Sequence, residues 1–199
     1  WSTGAGLFAT TGTDDVEGLQ EMIDSAVATG CVDATRLIIS GESNGAGMAL
    51  VALCDKRLQH TFSAAVLVIP AIDDAVLAHC DAAPAVPIGL SVVAGRLDQT
   101  VGYDGSRPPF LPAEQWFQAA GSVVNGCAPN ALVRAPIDAL VERLVMSDCT
   151  VCTEMFAVAD GSHTWPGSLE GTGGQVPGTF DLNRRLVDLA LNRGQTCLE

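Results

Sequence analysis

The stretch LIISGESNGAGMAL, residues 37–50, combines the features on which the fold prediction depends. A β-branched apolar run ends at Gly41, Ser43 follows between Gly41 and Gly45, and a segment of small residues then begins. A G-x-S-x-G turn between a strand and a helix exposes the serine hydroxyl at the top of a sheet, beside the backbone N–H groups of the helix start. The stretch therefore predicts a strand, a tight turn with Ser43 at its tip, and a helix.

On both sides of this turn, apolar strand patterns alternate with helical patterns. Because the strands are apolar throughout, they indicate a mostly parallel sheet with helices on both faces, in one α/β domain spanning residues 1–199. Strands are predicted at 36–41, 64–69, 87–95 and 152–160, and helices from Asp14 or Asp15 to about Gly30 and at 46–58, 112–126 and 179–194. Over 127–150 the pattern does not decide between helix and strand.

The composition excludes several classes of function. A net charge of -13 argues against nucleic acid, whose phosphates attract Lys and Arg. No apolar run reaches the roughly 18 residues that a membrane span needs. We therefore expect neither nucleic acid nor a membrane as a partner, and no cofactor or metal.

Seven cysteines are a high number for 199 residues. Cys149 and Cys152 form a C-x-x-C, but no second such pair completes the four ligands of a zinc site. Disulfides formed in an oxidising compartment are the favoured interpretation. Since the count is odd, one thiol is free or has its partner outside the chain.

A serine nucleophile needs a base, and three histidines are available. His163 is preferred because it lies in a Gly-rich loop, DGSHTWPG, directly after the last predicted strand. In folds with this serine turn, the catalytic residues follow one another along the chain in the order Ser, acid, His. His60 follows a predicted helix and is expected on the surface. His79 is expected in a loop and is a weaker candidate.

The acid has several candidates at the carboxyl ends of predicted strands. Asp98, in GRLDQTVGYDG, is preferred because its strand immediately precedes the one that leads to His163. Asp73 and Asp74 follow the preceding strand and stay open as alternatives, and Asp104 is a weaker one.

These residues predict acyl transfer. His163 would take the proton of Ser43 as it attacks a carbonyl carbon, and Asp98 would fix the imidazole tautomer and stabilise the imidazolium. The backbone N–H of Asn44, the residue after the nucleophile, would be one oxyanion donor.

Three motifs in the same order resemble the extracellular polyhydroxybutyrate depolymerase and feruloyl esterase group of α/β-hydrolases. CVDATRLIISGESNGAGMALVALC resembles its nucleophile region, GRLDQTVGYDG its acid loop, and DGSHTWPG its histidine loop. The resemblance runs from about Asp14 to Arg193. It implies an α/β-hydrolase fold and a secreted serine carboxylesterase acting on hydroxyalkanoate polyesters or oligomers, or on feruloyl esters of polysaccharides.

The resemblance also assigns residues. It implies Ser43, Asp98 and His163 as the triad and Trp165 as part of the substrate cleft. It implies two disulfides, Cys54–Cys80 and Cys127–Cys149. It leaves Cys31, Cys152 and Cys197 unassigned.

Residues 1–13 lack the strands and the oxyanion loop that this group carries before the position of Asp14. We therefore expect the N-terminal strands of the fold to be missing, the second oxyanion donor to come from a missing segment, and the strand before Ser43 to form an exposed edge. An inactive fragment or degenerate homologue, acting at most as a binding module, stays open as the alternative function.

Overall fold

The structure is a computed structural model and describes residues 1–3, 14–81, 86–129, 132–166, 182–192 and 197. Its centre is a six-stranded sheet in the order β1-β2-β3-β6-β5-β4. β1, β2, β3 and β6 are parallel, and β5 and β4 continue the sheet as an antiparallel hairpin. The strands are β1 Ile38–Glu42, β2 Ala64–Val68, β3 Gly89–Gly95, β4 Leu132–Pro136, β5 Val141–Met146 and β6 Thr153–Val158. The predicted α/β-hydrolase fold with a mostly parallel sheet is thereby confirmed, and the antiparallel hairpin makes the sheet mixed.

Helices cover both faces of the sheet. The helices are α1 Asp15–Ala28, α2 Asn44–Cys54, α3 Asp74–Asp81, α4 Ala113–Asn125 and α5 Leu182–Asn192. The larger core includes residues of α1 to α4 and one set of alternating strand residues, such as Leu67 and Leu90. The opposite set, such as Val66 and Phe156, packs with Leu182 of α5. Every residue of β2, β3 and β6 is buried, which explains their continuous apolar pattern.

The structure assigns the segment that the sequence left undecided and corrects one prediction. The undecided segment 127–150 contains the β4–β5 hairpin, whose exposed side chains give it a mixed polar and apolar pattern. His79 lies on α3, so the expectation that it sits in a loop is wrong. The ends of the predicted closing helix, residues 179–181 and 193–194, lie outside the described residues.

Three disulfides connect the helices and loops. Two of them are the pairs that the resemblance implied, and the third joins two cysteines that it left unassigned: Cys54–Cys80, Cys127–Cys149 and Cys152–Cys197. Cys31 is an exposed free thiol. Since Cys149 and Cys152 have different partners, the C-x-x-C is not a redox pair. No helix among the described residues is long and apolar enough to cross a membrane.

A fully buried carboxylate attaches α5 to the sheet. Glu154 of β6 is 0 % exposed; its Oε1 accepts hydrogen bonds from Ser91 Oγ (2.8 Å) and from Arg185 of α5, and its Oε2 accepts from Arg143 Nε (2.9 Å). Burying an ion is expensive unless it is paired, and two guanidinium groups supply the pairing here. The cluster therefore fixes the position of α5 on its face of the sheet.

Candidate active site

Ser43 occupies a strained turn at the carboxyl end of β1. Its φ is 54° and its ψ is -120°, and it is the N-cap residue of α2. Gly41 is required for this geometry, because a Cβ at that position would lie 2.2 Å from the Gly45 carbonyl oxygen. A Cβ on Gly45 would meet only two atoms of the Trp1 ring, Nε1 at 3.8 Å and Cδ1 at 4.0 Å, so the second glycine of G-x-S-x-G is not under the same constraint. Such strain persists only where the surrounding structure fixes it.

Backbone hydrogen bonds from the next strand hold this turn. Ser43 N donates to Val68 O (3.0 Å), and Ala71 N donates to Ser43 O (3.1 Å). The turn that Gly41 permits is therefore held in place by β2 and by the segment that follows it.

Asp98 lies in the loop after β3 and is 5 % exposed. Its Oδ1 accepts hydrogen bonds from Thr100 N (2.7 Å) and Val101 N (3.0 Å), which leaves Oδ2 for His163. Burial by itself raises the pKa of the Asp98 carboxyl, but the hydrogen bonds from His163 and the two backbone N–H groups outweigh it and hold the pKa below its ordinary value. Asp98 is therefore an ionised carboxylate at neutral pH.

His163 connects the other two residues. Its Nδ1 is 2.8 Å from Asp98 Oδ2, and its Nε2 is 2.9 Å from Ser43 Oγ. Since an ionised carboxylate only accepts hydrogen bonds, Nδ1 carries the proton and Nε2 accepts from the serine hydroxyl. The three side chains form one hydrogen-bonded series across 120 residues of sequence.

Two glycines bring the acid loop and the histidine loop into contact. A Cβ on Gly95, at the end of β3, would lie 2.4 Å from Gly161 O and 2.8 Å from Ser162 O. Arg96 N donates to Val158 O (2.8 Å), and Leu97 N donates to Gly161 O (2.9 Å). The 2.8 Å contact between Asp98 and His163 thus rests on direct backbone packing of their two loops.

The other acid candidates have different structural roles. Asp73 Oδ1 accepts a hydrogen bond from Val76 N at the start of α3, on which Asp74 also lies. Asp104 is exposed and accepts from Ser106 N in a turn. None of the three has the contact with His163 that Asp98 makes.

The two remaining histidines also lie elsewhere. His79 Nε2 is 3.2 Å from the Thr3 carbonyl oxygen, and His60 lies in an exposed turn after α2.

Asn44 is the first residue of α2, where backbone N–H groups have no partner inside the helix. Its N–H is available for an oxyanion at Ser43. Its side chain donates to the Trp1 carbonyl oxygen (2.9 Å), so Trp1 contacts the turn that carries Ser43, a contact that no sequence pattern predicts. A second oxyanion donor cannot be assigned among the described residues.

Trp165 lies two residues after His163 and is half-buried against the core on the α5 face. Leu97, which directly precedes Asp98 in sequence, has an exposed side chain. A small cleft beside Asp98 is lined mainly by apolar residues, among them Ile69, Val101 and Trp116.

One group of side chains among the described residues has the spacing of a metal site. The ligand atoms of Cys152, Glu154 and Cys197 lie within 4.8 Å of one another. The two sulfurs are joined in a disulfide and the carboxylate is paired with Arg143 and Arg185, so the group has no ligand atom to spare.

Comparison with known families gives a match to part of the chain. The model of the prolyl oligopeptidase family matches residues 7–82, which are 76 of the 199 residues and include Ser43 with the elements around it. Asp98 and His163 lie outside the matched range. No curated protein matches the chain significantly. The match supports the α/β-hydrolase superfamily and serine hydrolase chemistry in general.

Proposed function

We propose that this α/β-hydrolase-fold chain is a serine carboxylesterase that uses Ser43, His163 and Asp98 as its catalytic triad. The observation that carries the proposal is the hydrogen-bonded series from Asp98 Oδ2 through both ring nitrogens of His163 to Ser43 Oγ, at 2.8 and 2.9 Å. The serine lies on a strained turn at a helix N-terminus, where its hydroxyl is presented at the carboxyl edge of the sheet.

The reaction proceeds in two halves. In the first, His163 Nε2 takes the proton of Ser43 Oγ as the oxygen attacks the ester carbonyl carbon, and it then returns the proton to the leaving alcohol. In the second, water loses a proton to the same nitrogen and attacks the acyl carbonyl carbon. His163 Nε2 then gives this proton to Ser43 Oγ as the bond from that oxygen to the acyl carbon breaks and the acid leaves. Asp98 stabilises the imidazolium in both halves, and the Asn44 N–H donates to the oxyanion.

The substrate class we propose is a hydroxyalkanoate polyester or oligomer, or a feruloyl ester of a polysaccharide. Its support is the resemblance of three motifs, together with two apolar residues adjacent in sequence to the proposed acid and base: Leu97, directly before Asp98, and Trp165, two residues after His163. Secretion is proposed on the three disulfides, which are typical of extracellular proteins.

Two other functions are each favoured by one observation. The family match carries the name of a peptidase family, which favours hydrolysis of peptide bonds. Within the part of the chain that the structure describes, Asn44 is the single assigned oxyanion donor, which favours the inactive fragment or binding module. The two alternatives predict different responses to a serine-directed probe.

The test uses a fluorophosphonate probe on the folded chain, followed by turnover of matched substrates. We expect labelling of the wild type, none of Ser43→Ala, and hydrolysis of a p-nitrophenyl ester but not of the corresponding anilide. Labelling that survives in Ser43→Ala contradicts the assigned nucleophile. Faster turnover of a peptide amide than of its ester identifies a peptidase, and a folded wild type that is never labelled identifies the inactive alternative.

A further inference from the structure

Five polar side chains form a closed series of contacts around the loop that carries Asp98. The series contains two guanidinium groups, two carboxylates and one phenol, so its formal charges balance. It joins the acid loop to α4, β4 and β5. We call it the acid-loop network; its members are Arg96, Tyr103, Glu114, Arg134 and Glu142.

The first contact closes the acid loop on itself. Arg96 lies two residues before Asp98 and Tyr103 five residues after it, and the Arg96 guanidinium lies 4.7 Å from the centre of the Tyr103 ring. Between these two residues, Asp98 is oriented by hydrogen bonds from Thr100 N and Val101 N to its Oδ1. The direction of Asp98 Oδ2 toward His163 therefore depends on the backbone conformation of residues 96–103. The cation–π contact holds the two ends of this segment together.

The remaining contacts fix the closed loop to the rest of the domain. Arg96 Nη2 donates to Glu142 Oε2 of β5 (2.6 Å), and the Tyr103 hydroxyl donates to Glu114 Oε1 of α4 (2.8 Å). Arg134 of β4 completes the series by donating to both carboxylates, at 3.2 Å to Glu114 Oε1 and 3.3 Å to Glu142 Oε2.

The charged members are 25–43 % exposed, so each ion pair alone contributes little to stability. A contribution to the geometry of the loop does not require a large contribution to the free energy of unfolding. Burial and the Glu114 carboxylate raise the pKa of Tyr103, so its phenol stays a neutral donor across the working range of an esterase.

We propose that Arg96 and Tyr103 are positioning residues for Asp98. In this proposal the β4–β5 hairpin helps to hold Arg96 through Glu142, although it contributes none of the triad residues. The proposal rests on the proposed function, since Asp98 is assigned there as the acid. Neither residue touches the substrate; both act through the direction of the Asp98 carboxylate.

The test measures kcat and KM for a p-nitrophenyl ester in Arg96→Gln, alone and combined with Asp98→Asn. We expect the single variant to lower kcat about tenfold with KM nearly unchanged, since loss of orientation affects the chemical step. Because Arg96 acts through Asp98, the double variant should be no slower than Asp98→Asn alone. Arg96→Lys keeps the charge facing Glu142 and should recover part of the loss. An equal loss in both backgrounds would overturn the proposal.

Two controls separate the possible failures. Arg36→Gln breaks another exposed arginine–carboxylate pair, with Asp33 before β1, and should leave kcat unchanged. The far-downfield proton resonance of His163 Nδ1–H reports its bond to Asp98 without turnover. We expect this resonance in the wild type, a shifted or broadened one in Arg96→Gln and none in Asp98→Asn. If the wild type has no esterase activity, the proposed function fails while this resonance still tests Arg96; an unchanged resonance in Arg96→Gln overturns the positioning role.

Discussion

Replacing Gly95 by alanine should separate the acid loop from the histidine loop. The added Cβ would lie 2.4 Å from the Gly161 carbonyl oxygen, whereas ordinary van der Waals contact begins at 3.4 Å. The two loops must therefore move apart by about 1.0 Å, the difference between these distances. The three nearest atoms all belong to the backbone of Gly161 and Ser162, so rotation of a side chain cannot relieve the contact.

A shift of this size acts directly on the 2.8 Å bond between Asp98 and His163. Misplacement of a catalytic group by about 1 Å can cost about 100-fold in rate, and overpacking costs roughly 1–3 kcal/mol of stability. We expect Gly95→Ala to lower kcat/KM for a p-nitrophenyl ester by about 100-fold. Urea unfolding should show that the variant is still folded.

Gly18→Ala is the matched control. Gly18 lies on α1, and a Cβ there meets nothing within 4 Å. Alanine is the better helix former by about 1 kcal/mol, so stability should rise slightly with activity unchanged. If Gly95→Ala keeps kcat/KM within a factor of about three of the wild type, the argument from loop packing is refuted.

Three further predictions concern buried carboxylates. Asp98→Asn should lower kcat by about 10³–10⁴-fold with the fold intact, because the amide cannot hold the required tautomer of His163; a loss of that size in Asp74→Asn instead would contradict the assignment. Since the pKa of Asp98 is lowered on folding, its stabilising contribution is present above its ordinary pKa of 3.8 and is lost as pH falls through the lower folded pKa. The stability difference between wild type and Asp98→Asn, measured by urea unfolding, should therefore shrink below that pH, and a difference that grows on acidification has the wrong sign. Glu154→Gln should cost about 3–5 kcal/mol by the same measurement, because the buried guanidinium of Arg185 loses its charged partner, and a cost below about 1 kcal/mol would contradict the account of that cluster.

The residues around Ser43 could be predicted from the sequence because local sterics determine them. Only glycine at position 41 permits the close approach to the Gly45 carbonyl, so the turn leaves a visible pattern. The strands on either side are buried on both faces, and their apolar runs follow from that. The α/β-hydrolase fold was predictable for these reasons.

Elements that depend on tertiary context were not predictable in the same way. The hairpin strand β4 is mostly exposed and carries Arg134, which pairs across elements, so neither an apolar run nor a helical period is visible there. α3 has only eight residues, too few for a helical period to be clear, so the sequence predicts a loop at His79. The pairing of Cys152 with Cys197 spans 45 residues and leaves no local signal.

The candidate site shows the same division. The positions of Asp98 and His163 after strands favour them from the sequence, but Asp73 has a similar position, and only the hydrogen bond that its carboxylate accepts from Val76 N shows its different role. The acid-loop network has no sequence pattern, because its members come from four separate segments of the chain.

Ser43, Asp98 and His163 follow three different parallel strands at the carboxyl edge of the sheet. The proposed esterase activity therefore depends on the register of these strands. Successive backbone bonds run along this edge, from Ser43 N to Val68 O, from Ile69 N to Val93 O and from Arg96 N to Val158 O. A slip of one residue between any two of these parallel strands moves one loop by about 3.3 Å relative to the next, more than the length of either hydrogen bond of His163. Compact states with native secondary structure but one mispaired strand should therefore be silent toward a fluorophosphonate probe. During refolding, labelling of Ser43 would count the molecules in which all four parallel strands are correctly paired.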